Sequence, residues 1–141
     1  MPSRQKSRQH ALQLLYLWDM RRQPVAEIID SYYGSLASEA GEPIEERDSF
    51  AEDLVHGAVS KVELIDELIS GHSEHWRLER MAAVDRNILR VAIFEMMTLP
   101  TPSAVVIDQA LELARRFSTD ESIPFLNGVL DAVNQKLRPM P

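Results

Sequence analysis

The chain has 141 residues, 45% of them hydrophobic, a formal net charge of -7 and no cysteine. This length and apolar fraction suit one globular domain spanning 1–141 with a real core, and the missing cysteines exclude disulfides, thiolate metal sites and a cysteine nucleophile. No apolar run approaches the roughly 20 residues that span a bilayer, and the basic-then-apolar start lacks the small-residue cleavage site of a secretory leader, so a soluble cytoplasmic protein is expected.

The first element is a helix from about Ser3 to Arg22. Ala11, Leu14, Leu15 and Trp18 form its apolar stripe, which at helical spacing continues backward through Arg8 and Arg4. Unpaired arginines are costly to bury, so the first turns are expected to overhang the core and turn their charges outward. Pro24 opens a second helix to about Ser38, with Val25, Ile28, Ile29, Tyr32 and Leu36 apolar. Gly41-Glu42-Pro43 breaks it. A long helical region from about Ile44 to Ile69 follows, with Gly57 or Ser60 dividing it and Gly71 closing it. The next helix starts at Met81 or Ala83 and ends near Met97, with Val84, Ile88, Val91 and Ala92 on one stripe. Leu99-Pro100-Thr101-Pro102 stops it. Ser103 is placed to cap a helix to Phe117, with Ile107, Ala110, Leu111, Ala114 and Phe117 inward. After Ser118-Thr119-Asp120, a last helix from about Ser122 to Leu137 turns Leu126, Val129, Leu130, Val133 and Leu137 to the core. Six or seven helices, short links and no strand pattern describe an all-α bundle.

Charge is unevenly spread. Residues 1–18 carry Arg4, Lys6 and Arg8 with no acid, whereas residues 39–85 carry thirteen Asp/Glu against four Lys/Arg. Salt screens charges beyond about 8–10 Å, so a local basic end can attract phosphate despite the net negative charge. Cations in a helix's opening turns oppose its dipole; either a ligand offsets that cost or the terminus is frayed and solvated. The acidic middle is a solvated surface or faces a basic protein.

Phe125-Leu126-Asn127-Gly128 sits at the start of the last helix. Helix N-termini attract phosphate, and an edge aromatic can stack on a splayed base. Equally, Phe125 can be core. Gly128 costs a helix about 1 kcal/mol against Ala, which implies tight helix packing or the close approach of a ligand. Glu95 falls on an apolar line and calls for a buried ion-pair partner. His72 with His75, and Asp53 with His56, offer two metal ligands each where a site needs three or four. Arg115-Arg116 closes a helix, where cations complement the dipole; the alternative to that capping role is contact with RNA. No catalytic signature occurs, so neither enzymatic activity nor a cofactor is expected.

Taken in order, the segments resemble the NusB family of bacterial transcription antitermination factors. The resemblance rests on 8–16 (RQHALQLLY), 84–95 (VDRNILRVAIFE), 102 with 106–117 (VIDQALELARRF) and 125–131 (FLNGVLD). It implies two perpendicular three-helix halves with an extra helix. It also implies binding of single-stranded boxA RNA in nascent ribosomal RNA transcripts, with ribosomal protein NusE, inside an RNA polymerase antitermination complex. Carried over by position, Arg4, Lys6, Arg8, Glu121, Ser122 and Phe125 meet RNA, and Tyr16 and Asp85 meet NusE. Three departures stand out: Gln5 and Ser7 thin the basic run, Asp108-Gln109 replaces the family's usual Asn-Glu, and Pro124 precedes Phe125 where relatives often have another residue. The expected mechanism joins Arg8 and Phe125 in one cationic groove. The competing reading is a helical protein scaffold, including a homodimer, with no RNA role.

Overall fold

The computed structural model describes residues 3–40, 47–71 and 77–138, the last five side chains of the first stretch excepted. The break at Gly41-Glu42-Pro43, the expected start at Ile44, the pair His72 and His75, and the side chain of Leu36 lie outside the described residues.

Ser3 has extended backbone, and its side chain accepts the Lys6 N–H at 3.1 Å, which starts α1 (Arg4–Arg21). Arg22 ends that helix in the left-handed region (φ 54°), where its N–H satisfies the Trp18 carbonyl. Helix α2 (Val25–Ala40) follows Pro24. The long helical region is two helices, α3 (Ser49–Ser60) and α4 (Val62–Ser70), which meet at Lys61. Asp48 caps α3 by accepting from the Ala51 N–H. A 3₁₀ turn, Leu78–Arg80, precedes α5 (Ala83–Thr98) and has no periodic signal in the sequence. Helices α6 (Ser103–Phe117) and α7 (Ser122–Leu137) complete the order. Ser103 does not cap α6; Pro102 holds that place, and the Ser103 hydroxyl accepts from Arg138. The same guanidinium donates to the carbonyls of Met96, Leu99 and Thr101, so it satisfies groups left open where α5 ends.

The helices form two groups, α1–α3 and α5–α7, with α4 packed against α3, α5 and α7. Helix α5 joins the groups, touching α1 and α3 on one side and α6 and α7 on the other. Because neighbours surround it, α5 is buried nearly all round and not along one stripe; Asn87, Ile88, Leu89, Ile93 and Glu95 are fully enclosed. Gly57 permits this closeness: a Cβ there would fall 2.0 Å from the Phe94 ring. On α6 the inward line is Val106, Ala110, Leu113 and Ala114, with Ile107, Leu111 and Phe117 only half-buried at its flank. Ala110 and Ala114 are thus buried as expected, while packing α6 against both α5 and α7 brings Val106 and Leu113 to the centre and leaves Ile107, Leu111 and Phe117 at the edge.

Candidate nucleic-acid and partner interface

Two of the three N-terminal cations face outward. Arg4 and Lys6 are exposed, with the Arg4 guanidinium 3.8 Å over the Phe50 ring of α3. Arg8 corrects the expectation. It is buried, and its guanidinium grips Glu95 through two parallel hydrogen bonds of 2.8 and 2.7 Å. The arginine on α1's core line and the carboxylate on α5's core line are each other's partner. Burying either alone would be prohibitive, while a bidentate pair satisfies both. Arg8 is therefore not part of a free cationic groove.

The N-terminal turns are tied down further by Asp48. Its carboxylate accepts from Ser7 Oγ and meets His10 Nδ1, both at 2.9 Å, and its backbone N–H donates to the Tyr33 hydroxyl. Burial pushes the Asp48 carboxyl up, but the bonds from Ala51 N–H, His10 and Ser7 outweigh that and hold it below the usual 3.8. The exposed cations thus project from an anchored helix and not from a loose end.

At the start of α7, Phe125 is half-buried and packs partly against the core. With Glu121, Ser122, Thr119, Asp85 and Arg80 it lines a pocket of about 270 Å³. Asp85 sits at its base, only 7% exposed, and accepts hydrogen bonds from the hydroxyls of Ser118 (2.5 Å) and Ser122 (2.7 Å). Asp85, expected at the partner contact, uses its carboxylate in this structure to hold the α6–α7 junction against the first turn of α5. Arg80 belongs to the same pocket and was missed, since a lone arginine before a helix carries no periodic signal. Gly128 is exposed with open space where a Cβ would stand, so helix packing does not account for it.

Tyr16 is 37% exposed. It stands on the wall of a second depression of about 290 Å³ formed by Leu12, Gln13, Leu17, Val84 and Phe117. A third, of about 220 Å³, lies between α1 and α6 and is lined by Gln5, Gln9, Glu112, Leu113, Arg115 and Arg116.

The run of the helices orders these features. Arg8 meets Glu95 near the end of α5, whereas Asp19 meets Arg86, Asn87 and Arg90 near its start, so α1 and α5 are antiparallel. Ten residues of α5 separate Glu95 from Asp85, about 15 Å along a helix axis. The basic turns and the Phe125 pocket therefore occupy opposite ends of the α1–α5 pair, and no compact groove joins Arg8 to Phe125.

A family model described as the NusB family matches residues 5–135. The chain belongs to the NusB family. It is 54% identical to the transcription antitermination protein NusB of Solibacter usitatus (strain Ellin6076) over 137 residues, covering 97% of this chain and 92% of that one. Among solved structures, a T. maritima NusB crystal form superposes with a TM-score of 0.84 at 29% identity, covering 98% and 94% of the two chains. A structure of antitermination factors NusB and NusE in complex with double-stranded RNA superposes with a TM-score of 0.77 at 28% identity, covering 94% of this chain and 96% of that one. Among the described residues of this NusB family member, no helix is long and apolar enough to cross a membrane, and no three His, Asp or Glu side chains gather as a metal site would require.

Proposed function

We propose that this chain is a transcription antitermination factor of the cytoplasm. It binds boxA RNA of nascent ribosomal RNA transcripts together with NusE, joins the RNA polymerase antitermination complex and catalyses no reaction. The observation that carries this reading is the family match along nearly the whole chain, with a solved relative held in a complex of NusB, NusE and RNA. As one domain over 1–141, the chain offers RNA an exposed pair of cations, Arg4 and Lys6, for phosphates. It offers the Phe125 pocket for a splayed base, with the carboxylate of Glu121 and the hydroxyl of Ser122 able to meet base edges. Arg8 serves indirectly, by fixing the helix that carries the cations. For NusE it offers the apolar depression walled by Tyr16, while Asp85 fixes the junction beside it.

The test is a filter-binding titration with boxA RNA, single-stranded and as a duplex, with and without NusE. The single strand is expected to bind better than a scrambled sequence, and NusE to tighten it. Failure of this chain to bind boxA RNA under any of these conditions refutes the proposal.

A further inference from the structure

We infer that Arg115 and Arg116, facing Gln5 and Gln9 across the α1–α6 cleft, form the phosphate-binding middle of the RNA path; this rests on the RNA reading above. The three depressions are consecutive on the molecule. Gln5 and Gln9 line the cleft, and Leu12 and Tyr16, further along the same helical line of α1, wall the apolar depression. On α6, Arg115 and Arg116 line the cleft and the next residue, Phe117, lines the depression. On α5, Val84 lines the depression and the adjacent Asp85 lines the Phe125 pocket. A strand laid from Arg4 and Lys6 through the cleft to Phe125 borders the depression offered to NusE, so that RNA and partner would meet there.

Electrostatics favour cations between the two ends, even with Arg80 at the Phe125 pocket. The two exposed cations of α1 stand about 15 Å or more from the Phe125 pocket by the rise of α5, beyond the roughly 8–10 Å over which a surface charge acts in salt. The chain as a whole is negative. A phosphate backbone crossing that gap needs local cations, and the cleft holds two exposed ones. Arg116 has no carboxylate at ion-pair distance among the described residues; its guanidinium lies 5.5 Å over the Phe117 ring, between cleft and depression. Arg115 pairs with Glu112, both about half exposed, and such surface pairs are weak enough to be exchanged for a phosphate. Guanidinium forks suit phosphate oxygens, and the two glutamine amides supply further donors from the opposite wall.

The experiment measures the salt dependence of binding to single-stranded boxA RNA for the whole chain, its Arg115→Ala and Arg116→Ala variants and the double variant. Melting curves verify that each is folded. Each lost phosphate contact should flatten the slope of log K against log salt by about 0.7, and Arg116→Lys should restore it. An unchanged slope in the double variant, with a flattened slope in Arg4→Ala, overturns this inference and leaves the RNA reading standing. No RNA binding by the unaltered chain overturns both.

Discussion

Arg8 and Glu95 show how one interaction decides what a residue can do. Their side chains are 9% and 1% exposed, and both hydrogen bonds are short. Removing one partner strands a charge in the core. Arg8→Ala should therefore lower unfolding free energy by about 3–5 kcal/mol, read from a urea midpoint. Replacing both residues together, Arg8→Met with Glu95→Leu, should recover most of that loss, because apolar groups of similar volume leave no charge behind. If Arg8→Ala weakened RNA binding without loss of stability, the arginine would be a phosphate contact after all. At the same scale, Phe125→Ala should weaken boxA binding by about 1–3 kcal/mol if a base stacks on the exposed part of the ring. Unaltered affinity with a lowered melting temperature would assign the ring to packing alone. In the sequence, the misplaced arginine and the misplaced glutamate are each visible, 87 positions apart. Periodicity marks both as anomalies, but it says nothing about which helices face each other, so their pairing was not legible.

At the level of elements, two glycines inside helices have opposite meanings. Gly57 lies where α3 meets α5, and a methyl group would collide with the Phe94 ring. Gly57→Ala should therefore cost about 1–3 kcal/mol of overpacking, partly offset by about 1 kcal/mol of helix propensity. In a Phe94→Leu background the same change should become close to neutral or stabilising, and chemical denaturation of the four proteins tests that cycle. Gly128→Ala has no obstacle and should raise stability by about 1 kcal/mol. Most helix ends were legible to within a few residues, because stops such as Pro100 and Pro102 act locally, but α3 starts at Ser49 and not near Ile44, and the expected cap Ser103 gives way to Pro102. The face of α6 was legible in part: Ala110 and Ala114 are buried as expected and Ile107, Leu111 and Phe117 pack at the flank, but with α5 and α7 both as neighbours Val106 and Leu113 take the centre. The 3₁₀ turn was invisible for a similar reason. Arg86 donates to the Leu78 and Met81 carbonyls, contacts that tie the turn to α5 across several residues.

For the whole molecule, α1 is the part that the fold and the proposed function share, because it carries the exposed cations, the wall of the cleft and Tyr16. Two carboxylates outside the Arg8–Glu95 pair fasten it. Asp48 holds its start to α3, and Asp19 holds its end to α5. Asp19 receives Arg86 Nε at 2.8 Å and Asn87 at 3.0 Å, with Arg90 at 3.3 Å; Arg90 also grips Asp66. Burial pushes the Asp19 carboxyl up, but the bonds from Arg86 and Asn87 and the nearby Arg90 charge prevail and hold it below 3.8. Asp48 is shifted the same way. A carboxyl that is more acidic in the folded than in the unfolded chain stabilises the fold fully above its unfolded value. That contribution disappears as pH falls from there through the folded value. Stability from these two groups should thus be level between pH 7 and 5 and decline below about pH 4. Urea midpoints measured across that range should show the decline, and Asp19→Asn and Asp48→Asn should each make it shallower while lowering the plateau. RNA binding gives a second readout. If α1 is held by these contacts, acid should loosen the helix that presents Arg4 and Lys6, and affinity should fall along with stability even though acid leaves both cations charged. Affinity that rose steadily through the same range would show that net charge, and not the anchoring of α1, governs binding.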